Sequence, residues 1–122
     1  MNDVKKAVLE FIRTHKQTSY VELEELFEQL GFDYRGNYAA GAKSRESNLI
    51  TWSGWNVEAL NVIGELLAEN LIEQIRVHPV IYFIDGEGLT LPIAKTTRAY
   101  KEPHWLPIAF SACEQEGIKR NV

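Results

Sequence analysis

The sequence predicts an α+β fold in which a bundle of three helices is followed by a small antiparallel sheet. Two observations lead to this prediction. Apolar residues recur with a helical period in three separate stretches before residue 70, and they alternate with the period of a strand after it. The composition fits one packed domain, because 45% of the 122 residues are apolar and 25% are charged.

The first helix is predicted from residue 3 to near His15, with Asn2 or Asp3 as its N-cap. Its apolar stripe consists of Val4, Ala7, Val8, Phe11 and Ile12. The second helix follows a capping box formed by Ser19 and Glu22. Gly31 is expected to close it in the left-handed conformation, and Phe32 to fold back on its last turn.

The third helix is predicted to begin at Ser53 or Asn56 and to end near Glu69, where Asn70 favours a left-handed stop. Its expected buried face comprises Val57, Leu60, Ile63, Gly64, Leu67 and Leu71. Residues 33–55 are expected to form a long connection between the second and third helices, with a short strand at Leu49–Trp52.

Alternating residues predict a strand over 71–77 and a second over Val80–Ile84, joined by a tight hairpin at His78-Pro79. A third strand is expected over Leu89–Ile93, and an extended segment over Trp105–Phe110 that packs back on the domain. Residues 1–113 are therefore expected to form a single domain, and residues 114–122 a flexible C-terminal tail.

The residues where the third helix meets the first strand are Leu66-Leu67-Ala68-Glu69-Asn70-Leu71-Ile72. This junction, together with the order helix, helix, helix and hairpin, resembles the winged-helix branch of the helix-turn-helix class over residues 3 to about 85. The resemblance implies DNA binding, with the third helix in the major groove. The sequence departs from the pattern in its long connection before the third helix and in its short wing.

Local charge decides which residues are candidates for nucleic-acid contact. The net charge is −4, yet residues 34–56 and 94–122 each carry a net +2. Cations bind phosphates and aromatic rings stack on bases. The candidate nucleic-acid-binding residues are Arg35, Lys43, Arg45, Trp55, Asn56, Asn61, Arg76, Lys95, Arg98 and Lys101.

The third helix itself is a weak match to a DNA reader. Asn56 and Asn61 are able to pair with adenine, but Glu58, Glu65 and Glu69 share the expected exposed face. This acidity favours an alternative function, a protein–protein interaction module without nucleic-acid binding. In that alternative the acidic faces of the second and third helices bind the partner through Glu24, Glu25, Glu28, Glu58 and Glu65.

The remaining expectations concern chemistry and location. The three histidines and Cys113 show no ligand spacing for a metal, and no nucleophile lies in a catalytic motif, so no enzyme activity and no cofactor are expected. Without an apolar membrane span or a secretory signal, and with a single cysteine, the chain is expected to be cytoplasmic. A homodimer is the expected assembly. Trp52, Trp55 and Trp105 are expected to mark an interface if exposed and the core if buried.

Overall fold

The computed structural model describes residues 2–41, 48–84, 88–89, 91–96 and 100–113. Helices and strands both occur, which confirms the α+β class. The elements in chain order are α1 Asp3–Thr14, α2 Tyr20–Leu30, β1 Arg35–Gly41, β2 Leu49–Trp55, α3 Val57–Ala68, β3 Ile72–Arg76, α4 Val80–Ile84, β4 His104–Trp105 and β5 Ile108–Ala112.

Local sequence sets the ends of the three long helices as predicted. The Asn2 side chain accepts from the Lys5 amide at 2.7 Å and caps α1. Ser19 and Glu22 form the full capping box of α2, and Gly31 ends that helix at φ 71°. Asn70 stops α3 at φ 59°. Each cap satisfies backbone groups that the helix itself leaves without partners.

Two small sheets form among the described residues. The first has the order β1-β2-β4, with β1 antiparallel and β4 parallel to β2. The second pairs β3 with β5 in antiparallel register from Ile72 opposite Ala112 to Arg76 opposite Ile108. Thr18, between α1 and α2, forms an antiparallel bridge with Phe110. The bridge extends the order of the second sheet to Thr18, β5 and β3.

The predicted hairpin partner of β3 is wrong. Val80–Ile84 forms the one-turn helix α4, and β3 pairs instead with β5, far along the chain. Pro79 explains the difference, because it lacks an N–H and suits the first turn of a helix better than a hairpin. Its carbonyl accepts from Tyr82 N at 3.0 Å. His78, expected at a hairpin tip, accepts from Val80 N through Nδ1 and caps this turn.

The strand predicted over Leu89–Ile93 is wrong over its described residues, where only Ile93 takes part in a bridge, to Trp105. Pro92 supplies no N–H and contributes its carbonyl, which accepts from Trp105 N at 2.7 Å. The extended segment expected over Trp105–Phe110 is confirmed in outline, since it contains the last residue of β4 and the first three residues of β5.

The connection expected over residues 33–55 is a hairpin of two strands, β1 and β2. The predicted short strand lies within β2, but β1 was missed because glycine and asparagine interrupt its pattern. Gly36 is needed for close approach, since a Cβ there would lie 2.6 Å from Asn56 Cα. The register of the pair shifts three times, which marks bulges that no alternation of apolar residues reveals.

The buried face of α3 is rotated from the predicted one. Ala59, Val62, Ile63 and Leu66 are buried, whereas Val57 is 47% exposed and Gly64 lies at the surface. Because α3 contains so many apolar residues, both the predicted face and the observed face have helical spacing. Packing against α1 and the sheets decides between them. Ile63 is buried as predicted, Leu60 and Leu67 pack partly buried against the core, and only Val57 and Gly64 of the predicted face on α3 are exposed.

An aromatic core lies beneath both sheets. All three tryptophans are core residues, with Trp52 3% exposed and Trp55 and Trp105 fully buried. Tyr20 stacks on Trp52 at a centroid distance of 5.6 Å and meets Trp55 edge-on at 5.3 Å. Glu24 Oε2 accepts from the indole N–H of both Trp52 and Trp55, at 2.9 Å each. One carboxylate thus satisfies two indole donors in this core.

Candidate nucleic-acid interface

Two segments that contain basic residues, 42–48 and 95–104, lie about fifty residues apart in sequence. Their described residues Asn48 and His104 lie beside each other at one end of the β1-β2-β4 sheet, where Leu49 pairs with His104. At this end β1 stops at Gly41 and β2 begins at Leu49, directly after Asn48. Asn48 Nδ2 donates to the carbonyl of Tyr100 at 2.9 Å, and Asn48 O accepts from His104 N at 2.8 Å. These two hydrogen bonds hold the second segment against the first.

Tyr100 organises the second segment. Its hydroxyl accepts from the backbone N–H groups of Lys95 and Thr96, at 3.0 and 3.2 Å. Its ring stacks on His104 with a centroid distance of 3.8 Å and an interplanar angle of 18°. Lys95 and Lys101 are both exposed beside it. We refer to Asn48, Lys95, Thr96, Tyr100, Lys101 and His104 as the basic end.

The two sequence segments around the basic end carry a positive net charge, whereas the chain as a whole is negative. Residues 42–48 and 95–104 contain five Lys or Arg residues and two Glu residues, a net +3. The chain as a whole carries −4, so the other residues carry −7. A concentration of one sign attracts polyanions locally even when the net charge repels them. Three of these cations, Lys43, Arg45 and Arg98, lie outside the described residues.

Three other candidates lie on β1, at the end of β2 and just before α3, and each is buried or already has a hydrogen-bond partner within the chain. Trp55 was wrongly included, because its ring is fully buried against Tyr20 and Phe27 and no face remains for a base. Arg35 donates through Nη2 to Glu28 Oε2 at 2.8 Å, so a phosphate has to compete with that carboxylate. Asn56 caps α3 through its oxygen and donates its Nδ2 to Asp33 O at 2.7 Å.

Asn61 and Arg76 remain exposed, but neither belongs to the basic end. Arg76 is the last residue of β3, on the strand face that it shares with Gln74. Asn61 lies on α3 between Glu58 and Glu65, in a helix without a single Lys or Arg. Phosphates are repelled by that surface, so α3 is a poor reader of DNA.

Two of the acidic residues expected to bind a protein partner have internal roles instead. Glu24 accepts from two tryptophans, and Glu28 accepts from Arg35 and from the Tyr34 hydroxyl at 3.2 Å. Burial raises the pKa of Tyr34 to about 12, and the charge of Glu24 adds to the rise. Tyr34 therefore stays protonated and remains a donor to Glu28 at neutral pH.

The α1–α3 junction contains features that sequence reasoning missed. Lys5 is almost fully buried, and its Nζ donates to Glu65 at 3.1 Å and to Glu69 at 2.7 Å. Next to this pair is a cleft of about 320 Å³. Its lining includes Asp3, Val4, Phe32, Glu58, Asn61 and Glu65. Glu58 and Glu65 were considered only as a helix surface, and nothing in the sequence brings Asp3 or Phe32 next to them.

Reactive groups are sparse in the described part of the chain. Burial raises the pKa of the Cys113 thiol, with Glu73 adding to the rise, so the thiol is protonated at neutral pH. Over the described ranges, no three His, Cys, Asp or Glu side chains group closely enough to hold a metal ion. None of the helices described is long and apolar enough to cross a bilayer.

No family model, curated protein or solved structure matches this chain. The two oppositely charged surfaces, the basic end and the α1–α3 cleft, therefore carry the functional argument.

Proposed function

We propose that this chain is a non-catalytic, cytoplasmic DNA-binding regulatory module of winged-helix type, which contacts the phosphate backbone through the basic end. The observation that carries the proposal is the pair of hydrogen bonds in which Asn48 donates to Tyr100 O and accepts from His104 N. They hold the segment of Lys95 and Lys101 against Asn48, and the two sequence segments 42–48 and 95–104 together carry a net +3. The contact thus lies outside α3, the helix that a winged-helix protein normally inserts in the major groove.

The strand order supports the winged-helix part of the proposal. In that arrangement a short strand between the first two helices lies beside the last strand, which lies beside the strand after the third helix. Here Thr18, β5 and β3 occupy those three places in that order. The β1–β2 hairpin is then an insertion before α3, and the described residues between β3 and β5, which are 77–84, 88–89, 91–96 and 100–107, belong to an enlarged wing. Lys95 and Lys101 belong to this wing.

Phosphate contacts give affinity with a characteristic salt dependence. Each neutralised phosphate adds about −0.9 to the slope of log affinity against log salt concentration. If three to five of the five cations in residues 42–48 and 95–104 are engaged, affinity for a duplex falls roughly 40- to 500-fold between about 50 and 200 mM salt. This salt dependence comes from phosphate contacts alone and not from contacts that specify the base sequence.

The test is fluorescence anisotropy of a labelled random-sequence duplex at those two salt concentrations. Lys95→Gln combined with Lys101→Gln should reduce the slope by about 1.8 and weaken binding at low salt. Lys6→Gln combined with Lys16→Gln removes the same charge from exposed positions on and after α1, and should leave the slope unchanged. Folded wild-type protein that does not bind at low salt would contradict the proposal, as would equal effects of the two double variants.

The alternative, a protein–protein module without nucleic-acid binding, is favoured by the cleft between α1 and α3. That surface combines carboxylates with apolar side chains and has no exposed cation on α3. If the duplex experiment fails in folded protein, this alternative becomes the leading function.

A further inference from the structure

We propose that the α1–α3 cleft docks a cationic amphipathic segment of a partner protein, with an Arg or Lys stem on its apolar floor and the charged head at its rim. The proposal does not depend on DNA binding, because the cleft shares no residue with the basic end. The partner is defined by its chemistry, which is Lys or Arg interleaved with apolar residues.

The floor of the cleft is apolar. Val4 of α1 and Phe32, just after α2, are half-buried and line it. Phe32 is held in place by Phe27, whose ring centroid lies 5.1 Å away. A volume of about 320 Å³ accommodates one long side chain together with part of its neighbour. Apolar surface of this kind binds the methylene stem of Lys or Arg while the charged end stays at the rim.

The rim is acidic. Asp3 lies in the first turn of α1 and Glu58 in the first turn of α3, and Glu65 follows Glu58 two helical turns later. Asp3 and Glu58 form no ion pair with any described residue, and both are exposed. The pairing of these exposed carboxylates with an apolar floor is complementary in charge and in shape to a cationic side chain. It is complementary to neither a phosphate nor an acidic peptide.

Lys5 shows that carboxylates of α3 bind an ammonium group in this protein. Its stem is buried and its Nζ lies 3.1 Å from Glu65 and 2.7 Å from Glu69. These contacts use the carboxylates at the C-terminal half of α3. Toward the N-terminal half, Glu58 and Asp3 offer a second pair of carboxylates. A partner cation at Glu58 would form the same kind of ammonium–carboxylate contact as Lys5, about two turns nearer the N-terminus of α3.

The experiment measures anisotropy of a labelled amphipathic peptide of Leu and Lys with the full chain at low salt. Two control peptides replace Lys by Glu, or Leu by Gly. We expect saturable binding of the first peptide only. The double variant Asp3→Asn/Glu58→Gln should weaken it roughly three- to tenfold. The double variant Glu10→Gln/Glu73→Gln removes the same charge from exposed residues that do not line the cleft, and should leave binding unchanged.

Each contrary outcome overturns a stated part of the proposal. Equal binding of the Gly/Lys peptide would show attraction to a diffuse acidic surface without a groove. Undiminished binding by the Asp3/Glu58 variant would place the site elsewhere. Absence of binding by folded wild-type protein would remove the site altogether. None of these outcomes changes the duplex experiment, so failure of this proposal is distinguishable from failure of the proposed function.

Discussion

The basic end and the acidic α3 surface differ in how the chain places its charge. The described cations of the basic end, Lys95 and Lys101, lie on a connection, and two hydrogen bonds hold this connection to Asn48. The carboxylates of α3 are spaced along one helix, where the helical period alone aligns them. The net charge of −4 hides both regions. A single chain therefore presents surfaces that suit partners of opposite charge, and the predictions below test whether the two are independent.

Removal of Trp55 should damage both regions, because this ring lies under the hairpin and beside α3. It is fully buried and meets Tyr20, Phe27 and Tyr34. Trp55→Ala should lower the free energy of unfolding by about 3–5 kcal/mol, measured by urea denaturation. If the loss is below about 1 kcal/mol, the ring is not the core residue described here.

The second largest loss in the free energy of unfolding is expected on removal of Glu24, because its carboxylate accepts hydrogen bonds from two indole N–H groups. Glu24→Ala leaves the N–H groups of Trp52 and Trp55 without their carboxylate, and should cost about 2–3 kcal/mol. Glu24→Gln keeps an acceptor oxygen and should recover part of that loss. Tryptophan fluorescence provides the check, because the two indoles are reporters of the change. Equal stability of the Ala and Gln variants would argue against the shared acceptor.

Variants of Asn48 test whether the hydrogen bonds of the basic end matter for binding, because they remove a hydrogen bond without changing the charge. Asn48→Gly keeps the left-handed φ of 53° accessible but removes the donor to Tyr100, at a cost of about 1 kcal/mol. Asn48→Ala adds backbone strain of about 1 kcal/mol more. Neither substitution changes the net charge, yet duplex affinity should fall in both. Unchanged affinity in a folded Asn48→Gly variant would show that the two segments bind without being joined.

Tyr20 provides a pH-dependent prediction that concerns only the core. Burial raises its pKa from 10.0 to about 12. Between those pH values the unfolded chain loses this proton and the folded chain keeps it, so stability falls as pH rises. The fall amounts to roughly 2–3 kcal/mol by pH 12. Tyr20→Phe should cost about 1 kcal/mol at neutral pH, through its bond to Thr51. It should also reduce the alkaline loss of stability to the share that comes from Tyr34, whose pKa is raised to about 12 as well. An unchanged alkaline loss in chemical denaturation would rule Tyr20 out as its source.

The smallest effect is expected on the α3 surface. Glu58→Lys changes the charge of an exposed first-turn residue, which the helix dipole disfavours by about 0.3–1 kcal/mol. Glu25→Lys in the middle of α2 is the matched control, expected within about 0.5 kcal/mol of wild type. Thermal unfolding of the two variants provides the comparison. A large loss in Glu58→Lys would mean that this carboxylate is structural, which would undermine the docking role of the cleft.

Local signals in the sequence predicted the helices well. Asn2, the box of Ser19 and Glu22, Gly31 and Asn70 each specify a cap through neighbouring residues alone. Such local signals did not predict which strands pair over long distances in sequence. The apolar run Val80–Ile84 satisfies strand and helix patterns equally, and only the bond from Tyr82 Oη to Ile108 O, at 2.6 Å, and the preceding proline favour the helix. The pairing of β3 with β5 joins residues too distant for any pattern to connect.

The sequence predicted individual residues of the candidate site, but it did not predict the contacts that bring them together. Lys95 and Lys101 were recognised from composition, and both are exposed. The contacts of Asn48 with Tyr100 and His104 could not be predicted, because a half-buried asparagine just before a strand has no distinctive pattern. Trp55 failed as a candidate because aromatic residues beside cations are equally typical of a core strand, and burial alone distinguishes the two.

The most direct measurement of the central claim is amide chemical-shift mapping of the ¹⁵N-labelled full chain on addition of a short random-sequence duplex. We expect shifts to concentrate at Asn48, Lys95, Tyr100, Lys101 and His104, with the amides of α3 undisturbed. Shifts centred on Glu58, Asn61 and Glu65 would contradict the account, since they would mean that α3 contacts DNA despite its charge. A spectrum that does not change at low salt would also contradict it and would leave the acidic cleft as the principal binding surface.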